Sequence, residues 1–215
     1  NEQGITLEAL RQYDKALQAY RHASDAAPDD AMYIFGQADM LISLNQFDQA
    51  LELLERSLKL DNRNARTWAK MGQVLRRLDR SMDALRAYTR AVELDPNYAW
   101  AWNGRGLTLS SFERYDEALE CFRRAMELEP EDVWYWYNQG DAPVALGHFQ
   151  AASEALEHAV KLDPNHSESW AKLGQAYRRT DRPCGVANMA FHNNGFKKPQ
   201  PCALCGAEFE LAPSP

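Results

Sequence analysis

A tryptophan recurs every 34 residues along most of this chain. Trp68, Trp102, Trp136 and Trp170 are each followed four residues later by a glycine: Gly72, Gly106, Gly140 and Gly174. A second set keeps the same register. Ala16, Ala50, Ala84, Ala118 and Ala152 precede Tyr20, Leu54, Tyr88, Phe122 and Leu156 by four residues in each case. The period closes on Pro28, Pro96, Pro130 and Pro164, three of them after an acidic residue, with Asn62 in the remaining place. A fixed period in the range of roughly 20 to 50 residues implies an array of like supersecondary units.

The physics of one period, Ala99 to Asp132, predicts a pair of helices. Trp102, Arg105, Gly106 and Leu109 fall on one helical stripe, so a first helix is expected from about Trp100 to Phe112, with Gly106 letting a second helix approach. The second helix is expected after Tyr115 and Asp116, with Asp116 as its N-cap and Glu117 in its first turn. Its inner face carries Ala118, Phe122 and Ala125, and Glu129-Pro130 ends it. Neither helix can bury its apolar stripe within one pair, so the copies must stack on their neighbours. The recurring tryptophans are read as packing residues and not as a ladder of ligand contacts.

This pattern resembles the tetratricopeptide repeat, in which Trp, Leu-Gly and Tyr are followed by Ala, Phe and Pro. The resemblance implies an all-α fold, a right-handed α-solenoid of stacked helix-turn-helix pairs over residues 1–180. A partial copy at 1–30 is expected, then copies at 31–64, 65–98, 99–132 and 133–166, and a final first helix from 167. It also implies a non-enzymatic scaffold that binds a protein or peptide in a groove. Departures are Ile34 and Ala38 for Trp and Gly, Arg105 and Gln139 for the leucine, and Pro143 at the tyrosine place. An interior helical proline removes a backbone bond, so a kink is expected beside Asp141.

The groove in such an array is built from the second, fifth, ninth, twelfth and thirteenth places of each copy. That stripe offers Phe35 and Asp39, then Arg66, Gln73, Arg76 and Arg77, then Trp100 and Asn103, then Trp134, Tyr137 and Asp141. Trp100 and Trp134 share one place in adjacent copies and are expected to face outward, as an interaction surface would, or else to fill the narrow inner wall between neighbouring helices. The arginines suit carboxylates or phosphates, or else pair with nearby acids on the helix surface. The Lys and Asn set with which family members clamp chaperone tails is not reproduced, because the corresponding places hold Ala69, Gln73, Gly104, Trp134 and Asn138. A mixed apolar and acidic peptide is the expected ligand. Self-assembly through open repeat ends, giving a homo-oligomer, is the alternative.

A net charge of −7 and a pI near 5.3 argue against general affinity for nucleic acid or anionic membranes. No phosphate loop, nucleophile elbow or zinc-protease motif is present, so no catalytic residue and no cofactor is expected. His22, His148, His158 and His166 are expected on outer faces or in loops. After Arg182 the register fails, and the tail to Pro215 is expected to be disordered or foreign to the fold. Cys184, His192, Cys202 and Cys205 in that tail are weak metal candidates at poor spacing. Four cysteines are too few for a disulfide framework and suit a cytoplasmic location.

Overall fold

The computed structural model describes the backbone of residues 2–180 and the side chains of residues 13–179. The tail candidates Cys184, His192, Cys202 and Cys205 lie outside the described residues. Among the described residues there are ten helices and no strand: an all-α helical repeat. The chain divides into two compact units, Asn1–Glu113 and Arg114–Pro215. The first holds α1 (Glu2–Ala26), α2 (Ala31–Ser43), α3 (Phe47–Leu60), α4 (Ala65–Arg77), α5 (Ser81–Leu94) and α6 (Ala99–Ser111). The second holds α7 (Tyr115–Leu128), α8 (Val133–Ala145), α9 (Phe149–Leu162) and α10 (Ser167–Thr180).

The first helices of successive copies begin after residues that hold the cap. Asp30 accepts a hydrogen bond from Met32 N–H at 2.8 Å, Asn64 from Arg66 N–H at 3.0 Å, and Asp132 from Trp134 N–H at 2.8 Å. Each satisfies a donor that the helix itself leaves orphaned. Tyr98 occupies the same place before α6 and makes no side-chain cap bond.

Between the two helices of a copy within one unit the chain reverses through one left-handed residue: Asn45 (φ 58°), Asp79 (φ 57°) and Gly147 (φ 77°); Glu113, the last residue of the first unit, has φ 59°. The next amide then returns to the first helix. Gln46 N–H donates to the Leu41 carbonyl at 2.8 Å, Arg80 N–H to Leu75 at 2.9 Å and His148 N–H to Pro143 at 2.9 Å, which is the Schellman closure. So tight a turn starts the second helix earlier than the sequence suggests. Asp116 is therefore not the cap of α7; that place belongs to Arg114, and Asp116 lies with Glu117 in the first turn. Helix α8 runs through Pro143 to Ala145 and has the same 13 residues as α2, α4 and α6.

Packing follows the second register. Ala50, Ala84, Ala118 and Ala152 are fully buried, as are Leu54, Tyr88, Phe122 and Leu156. In the first unit Leu41, Leu54 and Leu75 share a cluster with Ala50 and Ala84. In the second, Leu156, Leu173 and Tyr177 close around Ala152 and Ala176. The recurring tryptophans are half-buried, and Trp68, Trp102 and Trp170 pack against the edges of the buried clusters. Their indole N–H groups all do the same work: Trp68 donates to the Asn62 carbonyl at 2.9 Å, Trp102 to Pro96 at 2.9 Å, Trp136 to Pro130 at 2.7 Å and Trp170 to Pro164 at 2.9 Å. Each indole thus ties its helix to the loop before it, and a polar tip at the surface explains why burial stops halfway.

Candidate functional site

In the first unit the residues on the groove stripe sit on α2, α4 and α6. Phe35 is half-buried and packs on the core cluster, so it serves the fold as well as the surface. Asp39 is not available as an isolated acid, because Lys70 Nζ lies 2.6 Å from its carboxylate. That lysine also stands 5.6 Å above the ring of Trp100. Trp100 is half-buried: it meets Tyr88 edge-on at 6.2 Å between ring centroids and leans on Tyr98 at 5.9 Å. Burial pushes the Tyr88 phenol up to about 12, against the opposing pull of Arg76.

Arg66 and Arg77 are exposed and Arg76 half-buried. Among the described residues no carboxylate lies within ion-pair distance of any of the three. The arginines of the second helices contrast with them: Arg86 pairs with Asp83, Arg90 with Glu93, Arg123 with Glu120 and Glu127, and Arg124 with Glu127. Two buried polar atoms of the same wall, Gln73 Oε1 and Arg76 Nε, have no hydrogen-bond partner. Asn103 on α6 is half-buried.

In the second unit Trp134 is 48% exposed, which separates it from Trp100 despite their shared place. The difference lies beside them, where Tyr98 supports Trp100 and the small Asp132 precedes Trp134. Trp134 meets Tyr137 at 5.8 Å and His166 at 4.4 Å, both edge-on. Asp141 is held by Lys172 at 2.5 Å, and this bond raises the ammonium above its ordinary range. Burial, and then the Asp141 charge, raise the Tyr137 phenol.

Two histidines make contacts that the register alone does not show. His166 is buried, and its Nδ1 accepts from Ser169 N–H at 3.2 Å and faces Ser169 Oγ at 2.6 Å. It takes the cap place that Asp30, Asn64 and Asp132 hold elsewhere. His158 stacks on Trp136 at 3.8 Å. Among the described residues no group of three or more His, Cys, Asp or Glu could hold a metal. Sequence reasoning missed Lys70, Tyr88 and Tyr98 as site residues. The signal was the sixth place of a copy, where Lys70 and Lys172 each follow an aspartate at the ninth place of the copy before.

Two family models described as tetratricopeptide repeat match the chain, one over residues 63–131 and one over residues 1–65 and 137–183. The chain belongs to the tetratricopeptide-repeat family. Among solved structures, this tetratricopeptide-repeat chain is similar to YrrB, described as a TPR protein with an unusual peptide-binding site. The identity is 25% and the TM-score 0.63, over 77% of this chain and 85% of that one. It is similar in fold to MamA from Desulfovibrio magneticus RS-1, at 21% identity and TM-score 0.66, over 76% of this chain and 94% of that one. It is also similar in fold to a chain of the APC/C hetero-tetramer Cut9-Hcn1, at 19% identity and TM-score 0.70, over 88% of this chain and 38% of that one. No curated protein matches it in sequence. No described helix is long and apolar enough to cross a membrane.

Proposed function

We propose that this chain is a non-catalytic cytoplasmic interaction module, its repeats spanning residues 1–180, that holds an extended polypeptide segment bearing carboxylates and an apolar side chain. The first unit binds it along α4 and α6. Arg66, Arg76 and Arg77 take the carboxylates, and Trp100 takes the apolar group. One observation carries the reading: among the described residues these three arginines lack acidic partners in a chain of net charge −7, where α5 and α7 pair theirs with aspartate or glutamate. Guanidinium groups recognise carboxylates through paired donors, and a half-buried aromatic beside them supplies an anchor. The likeness to a protein whose description names a peptide-binding site agrees with this.

The test is titration with a short peptide of alternating glutamate and leucine, capped at both ends, at several salt concentrations. Changing Arg76 and Arg77 together to Glu is expected to weaken binding at least tenfold and to flatten its salt dependence. An affinity and salt slope equal to those of the parent would remove the arginines from the site.

A further inference from the structure

The first helix of the third copy and that of the last copy carry the same residues at the same places. Trp-Ala-Lys stands at 68–70 and at 170–172, Gly-Gln at 72–73 and 174–175, and Arg-Arg at 76–77 and 178–179. The aspartate of the preceding copy recurs as well, Asp39 and Asp141. The likeness extends to geometry. Lys70 pairs with Asp39 at 2.6 Å and Lys172 with Asp141 at 2.5 Å, and neither arginine pair has a carboxylate within ion-pair distance among the described residues.

Packing does not require this set. Helix α6 has Gly104, Leu107, Ser110 and Ser111 at the places of the lysine, glutamine and two arginines, and α8 has Asn138, Asp141, Val144 and Ala145. Both fold as α4 does. Arg77, Arg178 and Arg179 are exposed and add nothing to a core, and a cationic pair without an acid beside a held lysine repels itself unless an anion joins it.

We infer that the chain carries the carboxylate-binding set twice, once in each unit, and takes two acidic segments per chain. The inference rests on the reading of the first unit given above. The two sites are not identical. Arg66 is replaced by Glu168, and the exposed aromatic of the second unit is Trp134 on α8, where the first unit has Trp100 on α6. The second site therefore binds more weakly. A partner with two acidic stretches, or two copies of a partner with one, matches this arrangement.

Calorimetric titration of the full chain with the capped glutamate–leucine peptide tests it. Two peptides per chain are expected. Arg77→Glu and Arg179→Glu, both at exposed positions, should each lower the stoichiometry to one, and the double reversal should abolish binding. A stoichiometry of one that Arg77→Glu removes and Arg179→Glu leaves intact would overturn the second site and keep the first. A parent stoichiometry of one that either single reversal abolishes would overturn two separate sites. Absence of binding by the parent chain would overturn the first-unit reading, and this inference with it. Circular dichroism of each variant checks that the helices persist.

Discussion

Lys70 reaches from one repeat to the one before it, placing its ammonium 2.6 Å from the carboxylate of Asp39, and Lys172 repeats the reach onto Asp141. The side chains of the first pair are 26% and 33% exposed, so water still screens them. A double-mutant cycle with Asp39→Ala and Lys70→Ala should therefore return a coupling of about 0.5 kcal/mol that falls as salt rises. A coupling above about 2 kcal/mol in urea unfolding would contradict that screening.

Gly104 leaves room for Tyr88. A Cβ on Gly104 would fall well inside van der Waals contact with the tyrosine ring, and the ring is fully buried. Gly104→Ala should cost about 2 kcal/mol by overpacking, although alanine is the better helix former. At the place of Tyr88, the copies before Lys70 and Lys172 have Leu54 and Leu156. In a Tyr88→Leu background the same Gly104→Ala change should be neutral or stabilising. Equal costs in the two backgrounds would show that the ring is not the obstacle.

Trp102 offers a separable test of its two contributions. Trp102→Phe removes the 2.9 Å bond to the Pro96 carbonyl and keeps most of the ring volume, so it should cost about 1 kcal/mol. Trp102→Ala should cost about 3 kcal/mol, at the low end of the range for aromatic truncation because the ring is half-buried. If Phe and Ala lowered the melting temperature equally, the indole N–H bond would be the whole effect.

Tyr88 makes the first unit sensitive to alkali. Its phenol ionises near 12 in the fold and near 10 when unfolded, so the contribution is complete below pH 10 and is lost as pH climbs to 12. About two pH units correspond to roughly 2 to 3 kcal/mol. Ultraviolet titration of the parent against Tyr88→Phe, with unfolding measured at each pH, reads both quantities. The variant should lack this part of the alkaline decline.

Glu113 adopts a left-handed backbone, φ 59°, in a turn where Gly147 holds the corresponding place of the next copy. A branched-free but bulky acid gains nothing there, and Glu113→Gly should stabilise by about 0.5 to 1 kcal/mol. Thermal melts of this variant beside Asp79→Gly, where aspartate already tolerates the conformation, should show the larger gain at 113.

The helix pairs were legible because the spacing of Trp68, Trp102, Trp136 and Trp170 is a property of the chain alone. The depth of burial was not. Trp100 and Trp134 are indistinguishable by register, and the cover that Tyr88, Tyr98 and Lys70 give Trp100 comes from residues off the stripe. The stripe includes Asp39 and Asp141. Their lysine partners lie in the following copy, off the stripe, and a periodicity within one helix says nothing about contacts made across a joint. His166 falls in a loop as expected, and its cap role is visible only once the start of α10 is fixed.

The fit of Tyr88 against Gly104, and the reach of Lys70 to Asp39, both cross from one copy to the next. The natural cassette for recombining such a chain is therefore not the 34-residue period. It runs from the second helix of one period into the first helix of its successor: a chimera cut between Arg77 and Ser81 keeps Tyr88 with Gly104 and Lys70 with Asp39, whereas a cut between Ser43 and Phe47 parts Asp39 from Lys70.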